Sequence, residues 1–236
     1  MKIGIIIPTY NRKNNSTNQL LKRALESIKN QTHQDYVVFL VGDKYDDVDE
    51  FNKLATSIIP KDKIIYENLD KAVEREKYLD VNMTALWCSG GVNATNHGLD
   101  IAKNYVEYCC HLDDDDYFLE NHLSSINEVI ETKKDAVFIH TLSSYRDIPA
   151  FPVIGEYDDI IEKEPVPCRL IHSSSCLNIK KIDLRYRDTL AEVGVSWPSD
   201  ADMWERLAAH CKENGLKTYC YRRLTCVHDS ESTIFS

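Results

Sequence analysis

The sequence predicts an α/β fold with a Rossmann-like, mostly parallel central sheet flanked by helices. The apolar run from Ile3 to Ile7 is continuous rather than alternating, as in a strand buried on both faces of a parallel sheet. The stretch NQLLKRALESIKNQ that follows has the spacing of an amphipathic helix. A second apolar strand, YVVFLVGD, then ends at Asp43. Strand, helix and strand in this order favour a parallel sheet with right-handed crossovers.

The later patterns continue this alternation without a linker, so we expect a single domain over residues 1–236. Residues 143–168 are irregular and contain prolines, which is typical of a surface excursion. The other predicted elements are, in order, a helix over 48–58, the strand KIIYE, a helix and a loop over 68–90, a glycine-started helix in GGVNATNHGLDIAKNY, the strand VEYCCHL, a helix carrying Leu119, Leu123, Ile126 and Ile130, the strand DAVFIHTL, the segment RLIHSSSCLNIKK, the helix DADMWERLAAHCKENG and the strand LKTYCYRRLTCVH.

Composition excludes several classes of protein. A formal net charge of −10 argues against nucleic-acid binding, which needs clustered Lys and Arg. No apolar run reaches the roughly 18 residues of a membrane span. The first residues, MKIGIIIPTY, lack the pattern of a secretory signal. The eight cysteines form no CxxC pair and are expected to be reduced core thiols, so we expect a cytoplasmic protein.

Four carboxylates, Asp113 to Asp116, directly follow the strand VEYCCHL. Ligands of α/β sheets bind outside the carboxyl ends of the strands, where Pro8, Thr9, Tyr10 and Asp43 are also expected. Like charges so close together repel unless they are compensated or solvated. One interpretation is that Asp116 caps the next helix and its neighbours are solvated.

A metal site is the alternative interpretation of the acidic run. A calcium loop of the EF-hand type fails, because the sixth position is not glycine and the twelfth is Ser124. Mg²⁺ or Mn²⁺, in contrast, is often held by one or two carboxylates together with the phosphates of a substrate. We therefore favour a divalent cation that shares the site with an anionic ligand, with Asp116 capping the following helix.

Six segments in this order resemble the family 2 glycosyltransferases of GT-A fold: IIIPTYNR, VGD, GVNATNHGLDIAK, LDDDDYFLENHL, PSDADMWERL and CVHDSES. The resemblance covers nearly the whole chain. It implies one GT-A domain in which residues 1–116 bind a nucleotide sugar and residues 117–236 bind the acceptor. It also implies that Asp115 binds the metal, that Asp113 or Asp114 lies near the ribose, and that Asp43 faces the nucleobase.

The resemblance extends to further residues of the nucleotide site. Backbone groups of Pro8, Thr9 and Tyr10 would line the pocket, and Arg12 would contribute charge. Asn96 matches an asparagine of the family, but the preceding position, usually arginine, is Thr95. Two residues are candidates to replace that missing cation, although a solvated helix face is the favoured interpretation of both: Lys71 and Arg75.

Asp200 matches the aspartate that acts as catalytic base in the family. Its alternative role is to cap the helix that we expect from Met203, and Asp202 is a competing candidate for the base. The glutamate that normally precedes the base is replaced by Ser199. A single base without a second carboxylate nucleophile implies inversion at the anomeric carbon.

Four aromatic residues complete the set of candidates. His228 resembles a late histidine that completes the metal site in many GT-A enzymes, with a structural role as its alternative. Trp197 is either a stacking platform for an acceptor sugar or a core residue. His111 is expected to be a hydrogen-bonded core residue, and His172 has no predicted role.

The resemblance and these residues together imply a metal-dependent inverting glycosyltransferase. A carboxylate at Asp43 can accept the N–H of uracil, which favours a UDP-sugar, and a dTDP-sugar would satisfy the same contact. The acceptor is a hydroxyl of a glycan or another molecule. Two alternatives are a phosphohydrolase that uses the aspartates for two metal ions and a non-catalytic protein that binds sugar nucleotides.

Overall fold

The computed structural model describes residues 1–12, 16–145, 148–151 and 157–229, with the backbone alone at 148–151. The strands are β1 (Ile3–Thr9), β2 (Tyr36–Gly42), β3 (Ile64–Asn68), β4 (Tyr108–His111), β5 (Tyr117–Phe118), β6 (Ala136–Tyr145), β7 (Ile148–Phe151), β8 (Ile160–Glu162), β9 (Ser175–Asn178) and β10 (Lys217–His228). The helices are α1 (Thr17–Lys29), α2 (Val48–Ala55), α3 (Val73–Tyr78), α4 (Met83–Ser89), α5 (Val92–Ala102), α6 (His122–Thr132), α7 (Thr189–Val193) and α8 (Ser199–Asn214).

The described strands form one sheet in the order β3-β2-β1-β4-β9-β6-β10-β5, with β7 beside β6 and β8 beside β10. Strand β1 is parallel to β2 and β4, β2 is parallel to β3, and β6 is parallel to β10. Strand β9 joins these two parallel parts, because it is antiparallel to both β4 and β6. The predicted mostly parallel sheet flanked by helices is confirmed.

The continuous apolar run of β1 is explained by a core on each face of the sheet. Successive side chains of a strand point to opposite faces. Ile5 accordingly packs in one cluster with Leu21 of α1, whereas Ile6 packs in the other with Leu99 of α5. Helix α5 lies so close to β1 that a Cβ on Gly98 would come within 2.7 Å of Ile6. Each buried isoleucine contributes about 1.5–3 kcal/mol to folding.

Some boundaries differ from the sequence prediction. Helix α2 ends at Ala55 rather than at 58, and residues 68–90 form two short helices, α3 and α4, where one helix and a loop were expected. The excursion predicted over 143–168 includes the end of β6 and the edge strands β7 and β8. Its residues 146–147 and 152–156 lie outside the described part. Within the described ranges, no helix is both long and apolar enough to cross a membrane.

Candidate active site

The parallel order places the carboxyl ends of β1, β2 and β4 side by side at one edge of the sheet. Thr9 ends β1, and its carbonyl oxygen accepts a 2.7 Å hydrogen bond from the backbone N–H of Asp43, which follows β2. The acidic run follows β4, the neighbour of β1 on the other side. The predicted nucleotide-site residues from three separate segments therefore meet at this edge.

Arg12 compensates two of the four aspartates. Its Nη2 is 2.6 Å from Oδ1 of Asp114 and its Nη1 is 3.0 Å from Oδ2 of the same carboxylate. Nη2 also lies 3.3 Å from Oδ2 of Asp115. The hydroxyl of Thr9 donates to Asp114 at 2.7 Å. Burial lowers the pKa of Arg12, but the charge of Asp114 outweighs it and the pKa is raised. The charge of Arg12 therefore compensates the carboxylates of Asp114 and Asp115.

Asp43 is paired with Arg75, which the sequence interpretation had assigned to a solvated helix face. Nε of Arg75 donates to Oδ2 of Asp43 at 2.9 Å, and the guanidinium lies 3.2 Å from the ring centre of Tyr10. That interpretation of Arg75 is wrong, whereas Lys71 is exposed as expected. Oδ1 of Asp43 is buried without a partner among the described residues. Burial raises the pKa of Asp43, although Arg75 opposes the shift. An unused acceptor thus lies beside Tyr10 and Arg75.

Asp113 is the open carboxylate of the acidic run. Its side chain is 34% exposed, against 6% for Asp114, 9% for Asp115 and 0% for Asp116. Nδ1 of His172 donates to Oδ1 of Asp113 at 2.8 Å. Burial opposes ionisation of Asp113, but the charge of His172 outweighs it and lowers the pKa. A ligand entering this edge of the sheet would therefore meet Asp113 first.

Asp116 does not cap the next helix. Helix α6 begins at His122 after Asn121, whose side chain makes no capping hydrogen bond. Asp116 is instead wholly buried and accepts hydrogen bonds from Ser173 Oγ at 2.6 Å, His228 Nδ1 at 2.9 Å and the backbone N–H of Asp229 at 3.0 Å. The run of four carboxylates is therefore compensated by the protein's own cations and donors.

His228, the candidate metal ligand, is oriented by Asp116. Burial lowers the pKa of this imidazole, but the hydrogen bond to Asp116 outweighs it and raises the pKa to about 9. Because Nδ1 donates to Asp116, Nε2 is the nitrogen that can bind a metal, as in many carboxylate–histidine–metal arrangements. No three His, Cys, Asp or Glu side chains form a ready metal site within the described ranges. The donor set of Asp115 and His228 fits Mg²⁺ or Mn²⁺ that is bound jointly with phosphates.

Asp200 and Asp202 lie in the first turn of α8 in very different surroundings. Pro198 occupies the N-cap position, so the capping alternative for Asp200 is wrong. Asp200 is half-buried, and its Oδ1 accepts the backbone N–H of Ala201 at 2.8 Å. Burial raises the pKa of Asp200, and the charge of nearby His172 opposes this shift. Asp200 therefore combines partial access with the higher proton affinity that suits a base.

Asp202 is held by two arginines. Its Oδ2 accepts hydrogen bonds from Nε of Arg187 at 3.0 Å and Nε of Arg206 at 2.8 Å, and its Oδ1 accepts a further one from Nη2 of Arg187. Burial opposes ionisation of Asp202, but these arginines outweigh it and lower its pKa. A carboxylate with both oxygens in ion pairs is a weak base, so the geometry favours Asp200 over Asp202.

Asn96 holds the backbone of Tyr186 and does not project an unused amide into the site. Its Nδ2 donates to the carbonyl oxygen of Tyr186 at 2.9 Å, and its Oδ1 accepts the N–H of the same residue at 2.9 Å. The predicted nucleotide contact of Asn96 would therefore require these bonds to change.

The exposure of two aromatic candidates, His111 and Trp197, tests the roles predicted for them. His111 is wholly buried and lies 3.0 Å from the hydroxyl of Ser175, so its prediction as a hydrogen-bonded core residue is confirmed. Trp197 is 41% exposed, which makes its core alternative wrong. An exposed indole three residues before Asp200 remains compatible with an acceptor platform.

Sequence reasoning missed the contribution of the segment HSSS. His172 and Ser173 both contact the acidic run, the first at Asp113 and the second at Asp116. The signal was available in part, because a histidine and three serines stand together in the segment RLIHSSSCLNIKK. That strand β9 of this segment pairs with β4 and brings His172 beside the aspartates could not be read from one sequence.

Comparison with known proteins places this chain in a family. The model of Glycosyl transferase family 2 matches residues 4–157. An uncharacterized glycosyltransferase, R139 of Acanthamoeba polyphaga mimivirus, is 36% identical over 99% of this chain and 96% of its own length. GalNAc(5)-diNAcBac-PP-undecaprenol beta-1,3-glucosyltransferase of Campylobacter jejuni is 30% identical over 53% of this chain and 33% of its own length.

Solved structures share the fold. Residues 1–349 of S. aureus TarS superpose with a TM-score of 0.65 over 98% of this chain at 13% identity, and this chain spans 61% of that one. TarS 1–349 in complex with UDP-GlcNAc gives a TM-score of 0.62 at 14% identity, covering 99% of this chain and 60% of that one. The family model, the relatives and the fold agree: this chain belongs to glycosyl transferase family 2 and has a GT-A fold.

Proposed function

We propose that this protein transfers a glycosyl group, with inversion, from a nucleoside-diphosphate sugar to a hydroxyl of a glycan or another acceptor. The observation that carries the proposal is the arrangement of carboxylates around the site. Asp43 and Asp113 face the donor side, and Asp200 lies within electrostatic range of Asp113 and His172. A donor pocket and a base at one sheet edge are what this transfer requires.

A UDP-sugar is the donor that the pocket favours. Oδ1 of Asp43, which has no partner among the described residues, can accept the single N–H of the uracil edge, next to the ring of Tyr10. TarS, which shares the fold, has been solved with UDP-GlcNAc and with UDP. A thymine nucleotide would make the same contact with Asp43, so a dTDP-sugar is the second candidate.

The proposed chemistry is a direct displacement. Asp200 takes the proton of the acceptor hydroxyl while the acceptor oxygen attacks the anomeric carbon. The bond from that carbon to the diphosphate oxygen breaks, and its electron pair leaves with the nucleoside diphosphate. Because Asp202 is engaged by arginines, Asp200 is the proposed base. We propose that no glycosyl–enzyme intermediate forms, so that the configuration inverts.

A divalent cation fits beside the diphosphate. Asp115 and Nε2 of His228 would hold Mn²⁺ or Mg²⁺ there, with Asp116 orienting the imidazole. When bound, the cation would neutralise the charge that develops on the leaving diphosphate. The rival phosphohydrolase would need several carboxylates for two ions, whereas both oxygens of Asp114 are bound by Arg12 and Asp116 accepts hydrogen bonds from Ser173 and His228.

The first experiment is binding calorimetry of the purified protein with UDP, dTDP, GDP and CMP, each with Mn²⁺ and with EDTA. We expect metal-dependent binding of UDP, and weaker binding to an Asp43→Asn variant, with Asp62→Asn on the distant surface as the control. The preferred nucleotide then selects the sugar donors for a transfer assay. If no diphosphate binds in the presence of metal, the proposed donor site is wrong and the phosphohydrolase becomes the leading alternative.

A further inference from the structure

A chain of buried hydrogen bonds leads from the open carboxylate of Asp113 into the core. His172 contacts Asp113 through Nδ1 at 2.8 Å and the hydroxyl of Tyr186 through Nε2 at 3.0 Å. The same hydroxyl lies 3.3 Å from Nε2 of His111, whose Nδ1 is 3.0 Å from Oγ of Ser175. The chain closes where Ser175 donates to the carbonyl oxygen of His172 at 2.6 Å.

With Asp113 ionised, one arrangement of protons satisfies every member of this chain. Because the hydroxyl of Ser175 donates to the carbonyl, its oxygen must accept from Nδ1–H of His111. His111 is neutral, since burial holds its pKa well below the ordinary value, so its Nε2 accepts the proton of Tyr186. The oxygen of Tyr186 then accepts from Nε2–H of His172. His172 therefore donates through both nitrogens and is an imidazolium paired with Asp113.

This ion pair lies between the two halves of the proposed site. Asp114, the neighbour of Asp113, is bound by Arg12 on the nucleotide side. Asp113 and His172 are both within electrostatic range of Asp200, on the side of the base. A glycosyl group in transfer must lie between its diphosphate and the base. Asp113 thus faces the region where the donor sugar would sit, with only Oδ1 used by His172.

We propose that His172 is a positioning residue for glycosyl transfer, which fixes the open carboxylate of Asp113 toward the donor sugar and is itself fixed by Tyr186. The proposal rests on the proposed function, because a positioning role needs a reaction to serve. Rotation of an unheld carboxylate would change its contact with the donor by more than the 1 Å that suffices to slow an enzyme. His172 itself need not touch either substrate.

Two matched substitutions separate positioning from a merely structural role. The side-chain nitrogen of asparagine can replace Nδ1 of histidine, and that of glutamine can replace Nε2. His172→Asn therefore keeps the donor to Asp113, whereas His172→Gln keeps the donor to Tyr186. We expect His172→Gln to lower kcat for sugar transfer about 10- to 100-fold, and His172→Asn to stay within about fivefold of wild type. The Kd of UDP should change less than about threefold in both variants, because Asp114 and Asp43 are untouched.

A double-mutant cycle tests the coupling directly. In an Asp113→Asn background, His172→Gln should add less than about a twofold loss, since the carboxylate to be positioned is gone. His33→Gln, at the opposite end of β1, serves as the matched control and should leave kcat unchanged. If His172→Gln fails to fold, Tyr186→Phe replaces it. That variant removes one hydroxyl from the chain of hydrogen bonds and should lower kcat about three- to tenfold.

The outcomes distinguish this inference from the proposed function. Equal losses for His172→Asn and His172→Gln, or transfer at the wild-type rate by His172→Gln or Tyr186→Phe, would overturn the positioning role and leave the glycosyltransferase intact. A wild-type protein that binds no nucleoside diphosphate with metal would overturn both. Three results together would establish the positioning role. These are a lower kcat in His172→Gln, a kcat near wild type in His172→Asn, and coupling of His172→Gln to Asp113→Asn.

Discussion

The guanidinium of Arg12 binds the carboxylate of Asp114 at two points, with both side chains buried. This ion pair joins the loop after β1 to the loop after β4, the two segments that carry most of the proposed donor site. A planar guanidinium matches a carboxylate in a way that no other side chain does. The pair therefore sets the shape of the acidic run before any ligand arrives.

Removal of Arg12 should destabilise the protein. Arg12→Met leaves Asp114 buried without its cation, and we expect the free energy of unfolding to fall by about 3–5 kcal/mol. Urea denaturation of wild type and variant measures the change. Adding Asp114→Asn should recover part of the loss, because the uncompensated charge is then gone. A decrease below about 1 kcal/mol would show that water compensates Asp114 in the variant.

The neighbouring carboxylates Asp200 and Asp202 should respond oppositely to replacement by asparagine. Asp200→Asn should lower sugar transfer at least about 100-fold, as expected for loss of a general base, with the Kd of UDP and the stability nearly unchanged. Asp202→Asn should lower the free energy of unfolding by about 2–4 kcal/mol, because Arg187 and Arg206 lose their shared anion. Product formation and urea denaturation of both variants provide the measurements. Unaltered turnover by Asp200→Asn would refute its assignment as the base.

Glu74 should make the stability of the protein depend on pH. This side chain is buried, its Oε1 accepts the backbone N–H of Asn93 at 3.0 Å, and its Oε2 has no partner among the described residues. Burial raises the pKa of Glu74 from 4.5 to about 7. The native state thus binds the proton more tightly than the unfolded chain. The contribution of the protonated Glu74 side chain to stability is complete below about pH 4.5 and is lost as the pH rises through about 7.

The variant Glu74→Gln removes this titration while keeping the acceptor for Asn93. We expect the difference in free energy of unfolding, variant minus wild type, to be larger at pH 8 than at pH 4.5 by on the order of 2–3 kcal/mol. Urea denaturation of both proteins at the two pH values gives the difference. If the gap between them is the same at pH 4.5 and pH 8, Glu74 does not titrate as inferred.

Chelation of metal should abolish donor binding and transfer. We expect EDTA to eliminate both and Mn²⁺ or Mg²⁺ to restore them. Asp115 and His228 alone supply too few ligands for the cation, so the cation and the diphosphate are expected to bind together. His228→Gln should raise the Mn²⁺ concentration for half-maximal activity about 10- to 100-fold. His210→Gln, near the far end of α8, is the matched control. Full activity in EDTA would contradict the proposed cation.

Much of the fold could be predicted because hydrophobic periodicity is a local property. The buried strands β1 and β2, helix α1 and the glycine-started helix α5 all follow from it, since each apolar pattern matches one element and its buried faces. The short helices α3 and α4 did not, because they pack as a small satellite cluster whose residues carry no long period.

The candidate site could likewise be predicted only in part. Strand ends on a parallel sheet meet at one edge, so the positions of Asp43 and the acidic run could be expected from their place after apolar strands. Their partners could not. Arg75 reaches Asp43 across 32 positions of the chain, and His172 reaches Asp113 across 59. Such long-range pairs depend on how loops pack, which no local pattern encodes.

The sequence by itself determined the sheet, its family resemblance and the edge at which chemistry would occur, because these depend on side-chain type and short-range order. Tertiary structure alone decided which aspartate is open and which is held by a cation. The physical reason is electrostatic: a carboxylate's role follows from its burial and its nearest cation, and Asp200 and Asp202, two positions apart, differ only in that.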